Sequence, residues 1–151
     1  MYKKSYDIKL TENHLKVLGL YTQNKEYYIR EASTLTHISP RTAQLILEDL
    51  EKKGILEAEL KGKIKIYRIK HNQTSKNYLV FAEDYKKICF LENNLIIKEI
   101  AAQLYPSIEG IALIFGSYAK NAQKEESDLD LFIAGKYDQK QIKSISKKFN
   151  I

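Results

Sequence analysis

From Thr11 to Lys70 the hydrophobic positions change period once. Leu15, Leu18, Leu20 and Tyr21 follow Thr11, a residue suited to capping, at helix-like spacing until Asn24 and Lys25 break the pattern. YYIREASTLTH then gives a short strand-like start and a short helix around Arg30–Leu35. ISPRTAQLILEDLEKKGIL predicts the strongest helix in the chain. Ser39 caps it, and Pro40 takes the first helical position, where a missing N–H costs nothing. Ala43, Ile46, Leu47 and Leu50 share one face, and Gly54 supplies the left-handed stop. After Gly54 the period falls to two. Leu56, Ala58 and Leu60 alternate with polar residues, and Ile64, Ile66, Tyr67 and Ile69 do so roughly. Lys61-Gly62-Lys63 between them marks a hairpin with a basic tip.

The second half reads differently. HNQTSKN, residues 71–77, is polar and aperiodic and is read as a linker. Helical spacing resumes from Tyr78 through Leu104, with a break at Asn93-Asn94 and an end at Pro106. Ile111–Phe115 is a strand apolar on both faces, the pattern of a strand inside a covered sheet. Gly116-Ser117 follows at once, and YAKNAQ has helical propensity, so Ser117 stands at a strand-to-helix junction. Leu129–Ala134 is the next strand, with Asp128, Asp130 and Phe132 directed to one face and Leu129, Leu131 and Ile133 to the other. The segment after Tyr137 predicts a helix capped by Asp138, with Ile142 and Ile145 on its apolar side.

Charge sharpens this division. Residues 1–77 carry 15 Lys+Arg against 9 Asp+Glu, and residues 78–151 carry 10 of each, so the whole formal excess of +6 lies in the first half. Such asymmetry suggests two modules, the first with a polyanion as candidate partner. The competing reading is a basic solvated surface. No apolar stretch approaches the roughly 18–20 residues of a membrane span. The N-terminus lacks a signal-peptide core. Cys89 is the single cysteine, which points to a reducing cytoplasm. His14, His37 and His71 show no metal-ligand spacing and read as packing or surface residues.

The acids carry the chemistry. Two carboxylates on one strand face lie about 7 Å apart and would repel if buried bare. Mg²⁺ removes that conflict, since it takes oxygen ligands from one or two carboxylates and from substrate phosphates. Glycine before a helix start lets a phosphate approach free backbone N–H groups. An isolated Asp-x-Asp is commonly just solvated. Gly116-Ser117 upstream, after an apolar strand, makes Asp128 and Asp130 candidate metal ligands and catalytic groups.

Two family resemblances follow from these motifs. Helix, short helix, capped helix and basic hairpin, over about residues 8–70, resemble a winged helix-turn-helix domain of transcription regulators. That resemblance implies DNA docking through Arg41, Thr42 and Gln44 near the start of the recognition helix Pro40–Lys53, with Lys61, Lys63 and Lys65 on the wing. Winged helices also serve as dimerisation or protein-docking modules. Gly116, Ser117, Ala119, Lys120, Ser127, Asp128, Leu129, Asp130 and Leu131 resemble the signature of minimal nucleotidyltransferases of the DNA polymerase beta-like superfamily. Here the resemblance implies that Gly116 and Ser117, with Lys120, hold the phosphates of ATP or another NTP, and that Asp128 and Asp130 bind Mg²⁺. Asn121 stands where that family has glycine. The family also has a third carboxylate on a later strand. Asp138 is the only acid after Asp130, at a helix start, so an enzyme is expected if a third carboxylate follows residue 151.

The expected fold class is therefore α+β with two domains. An N-terminal winged helix-turn-helix (1–70), a linker (71–77) and connecting helices (78–106) precede a partial nucleotidyltransferase-type mixed sheet with helices (107–151). The expected function is Mg-NTP binding with transfer of a nucleotidyl group to an acceptor hydroxyl on a protein, tRNA or small molecule. The alternative is a transcriptional regulator whose second domain senses nucleotide or is catalytically inactive. A homodimer is a further expectation, through the apolar helical surface of residues 78–104.

Overall fold

In the structure, a computed structural model that describes residues 9–120, 122 and 127–149, the chain divides into two units, Met1–Cys89 and Phe90–Ile151. The first begins with α1 (Glu12–Leu20), whose N-cap is Thr11. A 3-10 turn and left-handed Asn24 end it, as the sequence break at Asn24 predicts. Strand β1 (Tyr27–Tyr28) leads into α2 (Ile29–Thr36). Helix α3 (Pro40–Lys52) starts as expected: the Thr42 N–H donates to Ser39 Oγ at 3.0 Å. It ends with Ile55 N–H donating to the Leu50 carbonyl and Gly54 N–H to the Glu51 carbonyl, with Gly54 left-handed at φ +70°. Strands β2 (Leu56–Lys61) and β3 (Ile64–Ile69) form the hairpin, and β1 adds to β3, giving the antiparallel order β1-β3-β2.

The helical apolar faces and the base of the hairpin become the core of this unit, while Leu60 and Ile64 near the hairpin tip stay exposed. Val17, Leu18, Ile46, Leu47, Leu50, Ile55, Leu56 and Tyr67 are among its buried members. The Tyr21 and Tyr67 hydroxyls lie buried in it without a hydrogen-bond partner among the described residues. Burial pushes the Tyr21 phenol far above its ordinary pKa.

Residues 71–77 are not the linker that their polarity suggested. Helix α4 spans Gln73–Asn93. Asn72 Oδ1 accepts from Ser75 N–H at 2.8 Å and Asn72 Nδ2 donates to the Gly54 carbonyl at 3.1 Å. Buried Ser75 donates to the Ile55 carbonyl at 2.9 Å. Asn72 caps the start of this helix, and its amide and the Ser75 hydroxyl satisfy carbonyls between α3 and β2, which is why they look like loop residues when read alone. Asn94 interrupts the helical run, its Nδ2 donating to the Phe90 carbonyl, before α5 (Leu95–Leu104).

In the second unit a 3-10 turn around Pro106 leads into β4 (Ile108–Phe115), α6 (Gly116–Ala119), β5 (Asp130–Tyr137) and α7 (Gln139–Phe149). Both strands run three residues further from the Gly116 junction than the sequence pattern suggested. They pair antiparallel, from Phe115↔Asp130 to Ile108↔Tyr137. Helices α5 and α7 cover one face of this pair, where Ile97, Ile100, Leu104 and Ile145 meet Ile108, Ile114, Leu129 and Leu131. The other face is not covered as a two-sided apolar strand predicts. Ile111, Leu113, Phe115 and Phe132 lie 50–61% exposed there. Among the described residues, no helix is long and apolar enough to cross a membrane.

Candidate nucleotide site and nucleic-acid interface

Register builds the acidic site. Pairing Phe115 with Asp130 sets the end of β4 beside the start of β5. Gly116 follows Phe115 with φ +71°, a left-handed conformation that favours glycine. The space where its Cβ would be is already taken. A Cβ built on Gly116 would fall onto Asp130 Oδ2 and lie 2.8 Å from its carboxyl carbon. The absent side chain is thus what lets the Asp130 carboxylate lie against the backbone of the strand-to-helix junction. Exposure alternates through Asp128, Leu129, Asp130, Leu131 and Phe132, with the leucines half-buried on the core side and the acids and Phe132 exposed. Asp128 lies just before β5 and Asp130 is its first residue.

Ser117 is half-buried in α6, and its carbonyl accepts from Lys120 N–H at 3.2 Å and Ala122 N–H at 2.9 Å. Lys120 is exposed at the end of that turn. The structure therefore brings Gly116 and Asp130 into contact, with Ser117 next in the chain. Asn121 lies outside the described residues. Asp138 serves as a helix cap: its Oδ1 accepts from the Lys140 N–H at 2.9 Å and the Gln141 N–H at 3.1 Å. Among the described residues no three His, Cys, Asp or Glu side chains gather as a metal cluster. The donor set is two exposed carboxylates beside a glycine cradle. It fits a hard divalent cation that draws its remaining oxygen ligands from phosphate and water.

Residues 96–151 match the family model described as Polymerase beta, Nucleotidyltransferase. The matched segment contains the Gly116 junction, both acids and helix α7. No match was found among curated protein sequences.

The residues expected at a DNA interface lie in the first unit. Arg41 is exposed at the start of α3, and its Nη1 donates to Gln44 Oε1 at 3.4 Å. Gln44 Nε2 donates to Glu48 Oε1 at 2.9 Å, and Thr42 Oγ1 lies 2.8 Å from the capping Ser39 Oγ. On the hairpin, Lys61 pairs with Glu26 at 2.9 Å and Lys65 with Glu51 at 2.6 Å. Those carboxylates raise the pKa of both lysines, through hydrogen bonds first. Lys63, at the tip, is exposed and makes no ion pair among the described residues. The sequence placed these six residues at a helix start and on a hairpin but gave no sign of the acids that engage two of the lysines. Glu26 and Glu51 come from distant segments, so only the tertiary structure brings them in.

Three helices followed by a hairpin, with β1 added to its second strand, form a winged helix-turn-helix fold. Among solved structures the chain is similar to a mutant of ZitR from Lactococcus lactis, at 16% identity, 65% coverage of this chain, 68% of that one and TM-score 0.50. It is also similar to the adhesin competence repressor AdcR from Streptococcus pyogenes (16% identity, 61% of this chain, 69% of that one, TM-score 0.49). A third is the homodimeric winged helix-turn-helix DNA-binding domain Mb0332 from Mycobacterium bovis (23% identity, 51% and 69% coverage, TM-score 0.42). At these identities the likeness speaks to fold alone.

Proposed function

We propose that the second unit binds a nucleoside triphosphate together with Mg²⁺ and transfers its nucleotidyl group to an acceptor hydroxyl. The observation that carries this reading is the Gly116–Asp130 approach, where a carboxylate lies in the space a side chain would fill at a strand-to-helix junction. Backbone N–H groups at the start of a helix lack intrahelical partners and suit phosphate oxygens, so Gly116 and Ser117 would seat the triphosphate. Lys120 would add positive charge at the edge. Asp128 and Asp130 would hold the cation, which when bound supplies charge compensation to the phosphates and the departing pyrophosphate. The acceptor oxygen bonds to the α-phosphorus as the bridging P–O bond breaks, and the hydroxyl proton passes to a carboxylate or to solvent. The acceptor belongs to the classes of protein, tRNA or small molecule.

The first unit docks on DNA through α3 and the hairpin tip. Arg41 and Lys63 carry the free charge, since Lys61 and Lys65 must leave Glu26 and Glu51 to reach phosphate. A second reading keeps nucleotide binding and omits turnover, making the protein a nucleotide-sensing regulator. It is favoured by the two-carboxylate donor set among the described residues.

Incubation with α-phosphate-labelled ATP, Mg²⁺ and candidate acceptors separates the two. Transferred label that disappears in Asp128→Asn/Asp130→Asn supports the enzyme. Mg-dependent ATP binding without transfer supports the sensor. Absence of both overturns the nucleotide site.

A further inference from the structure

Helix α7 carries four lysines, Lys140, Lys143, Lys147 and Lys148, and no acid between Gln139 and Phe149. The nearest acid, Asp138, is held in the cap. At 100° per residue, Lys140, Lys143 and Lys147 fall within an arc of roughly 60°, and Lys140 and Lys147 are about 10.5 Å apart along the axis. All three are exposed, and none forms an ion pair among the described residues. Nearly opposite them, Ile142, Ile145 and Phe149 pack into the core of the second unit. Beside the lysine stripe runs a groove of about 360 Å³ lined by Gln103, Gln141, Ser144, Ile145 and Lys148. Lys148 Nζ donates to Gln103 Oε1 there at 3.2 Å.

This surface differs from the hairpin of the first unit, where acids engage two of the three lysines. On α7 the ammonium groups of Lys140, Lys143 and Lys147 make no ion pair among the described residues, and the acids that balance the charge of the second unit lie outside this helix. Keeping three like charges in line costs repulsion, which a polyanion would relieve. One strand of a nucleic acid places a phosphate about every 3.4 Å along the duplex axis, so the stripe spans about three. The amides and hydroxyl of the adjoining groove are donors and acceptors of the kind that meet ribose and base edges. An anionic membrane fits less well, because the apolar side of α7 is already buried and leaves nothing to insert.

The geometry points to α7 as a second nucleic-acid-binding surface, taking the phosphodiester backbone of RNA or DNA along Lys140, Lys143 and Lys147. It lies on the helical layer of the second unit, whereas Asp130 and Phe132 are on the strand face turned away from that layer. The inference does not rest on the nucleotide reading.

The test uses the full chain carrying Arg41→Ala/Lys63→Ala, which removes the expected docking through the first unit. Fluorescein-labelled 20-nucleotide single-stranded RNA, single-stranded DNA of matching sequence, and the duplex are titrated at several salt concentrations. Against this background, Lys140→Gln/Lys143→Gln/Lys147→Gln weakens binding of at least one of these probes about tenfold at low salt and flattens its log–log salt slope by about 2 to 3 units. The matching Lys→Arg triple restores both. Single Lys143→Gln gives a smaller loss of the same sign and serves should the triple fail to fold. Equal affinities and slopes in parent and Gln variants overturn the proposal. So does binding to none of the three probes. A preference among RNA, DNA and duplex identifies the source of the backbone.

Discussion

The two units treat their apolar residues in opposite ways. In the first, three helices, the start of α4 and a three-stranded sheet enclose a contiguous core, and Ile46, Leu47 and Leu50 of α3 all disappear into it. In the second, α5 and α7 cover one face of a two-stranded sheet and leave Ile111, Leu113, Phe115 and Phe132 exposed on the other. The acids belong to this open side. Apolar burial thus organises the first unit. In the second, the candidate site rests on a polar junction, where the Asp130 carboxylate lies against the backbone of Gly116.

The largest expected effect sets one unit against the other. Leu47→Ala removes a fully buried side chain and should cost about 2–5 kcal/mol of unfolding free energy. Leu113→Thr, on the open face, should change it by less than about 0.5 kcal/mol. Chemical denaturation of both variants measures this, and comparable losses would show that the open face is packed in solution. Gly116→Ala comes next. It forces a side chain into left-handed backbone and onto the Asp130 carboxylate, so a loss of about 1–2 kcal/mol is expected together with loss of ATP binding. Unchanged stability and ATP affinity would dissolve the cradle.

Tyr21→Phe tests the first unit from the other direction. Its buried hydroxyl has no partner among the described residues, so its removal should be neutral or stabilising by up to about 1–2 kcal/mol, read as a rise in the denaturation midpoint. Destabilisation would reveal a hydrogen bond to that hydroxyl.

The smallest effect is pH-dependent. His14 links α1 to α3, with Nε2 3.4 Å from Asp49 and Nδ1 accepting from the Thr11 N–H at 3.3 Å. Burial lowers its pKa below the ordinary 6.5, outweighing the attraction of Asp49. A depressed pKa means the stabilisation is complete above the unfolded value and is lost as pH falls through the folded one. The denaturation midpoint of the first unit should therefore fall slightly between about pH 7 and pH 5, and His14→Gln should flatten that slope.

Legibility in the sequence followed the range of the interactions. Ser39, Pro40 and Gly54 act within a few residues, so α3 was readable nearly to its ends. The hairpin was readable for the same reason. Asn72 and Ser75 act on Gly54 and Ile55, well back in the chain, and their polarity disguised a helix start as a linker. Glu26 and Glu51 reach the hairpin lysines only through the fold. At the acidic site, the residue types and spacing around Gly116, Asp128 and Asp130 pointed to phosphate and metal chemistry. The contact between Gly116 and Asp130 depends on strand register, which no local pattern specifies.

That contact carries the central claim, and calorimetric titration of ATP into the full chain tests it most directly. With Mg²⁺ present, the protein should bind ATP, and either Asp130→Asn or replacement of Mg²⁺ by excess EDTA should weaken binding by tenfold or more. ATP affinity that is the same in wild type and Asp130→Asn, with and without Mg²⁺, would contradict the account.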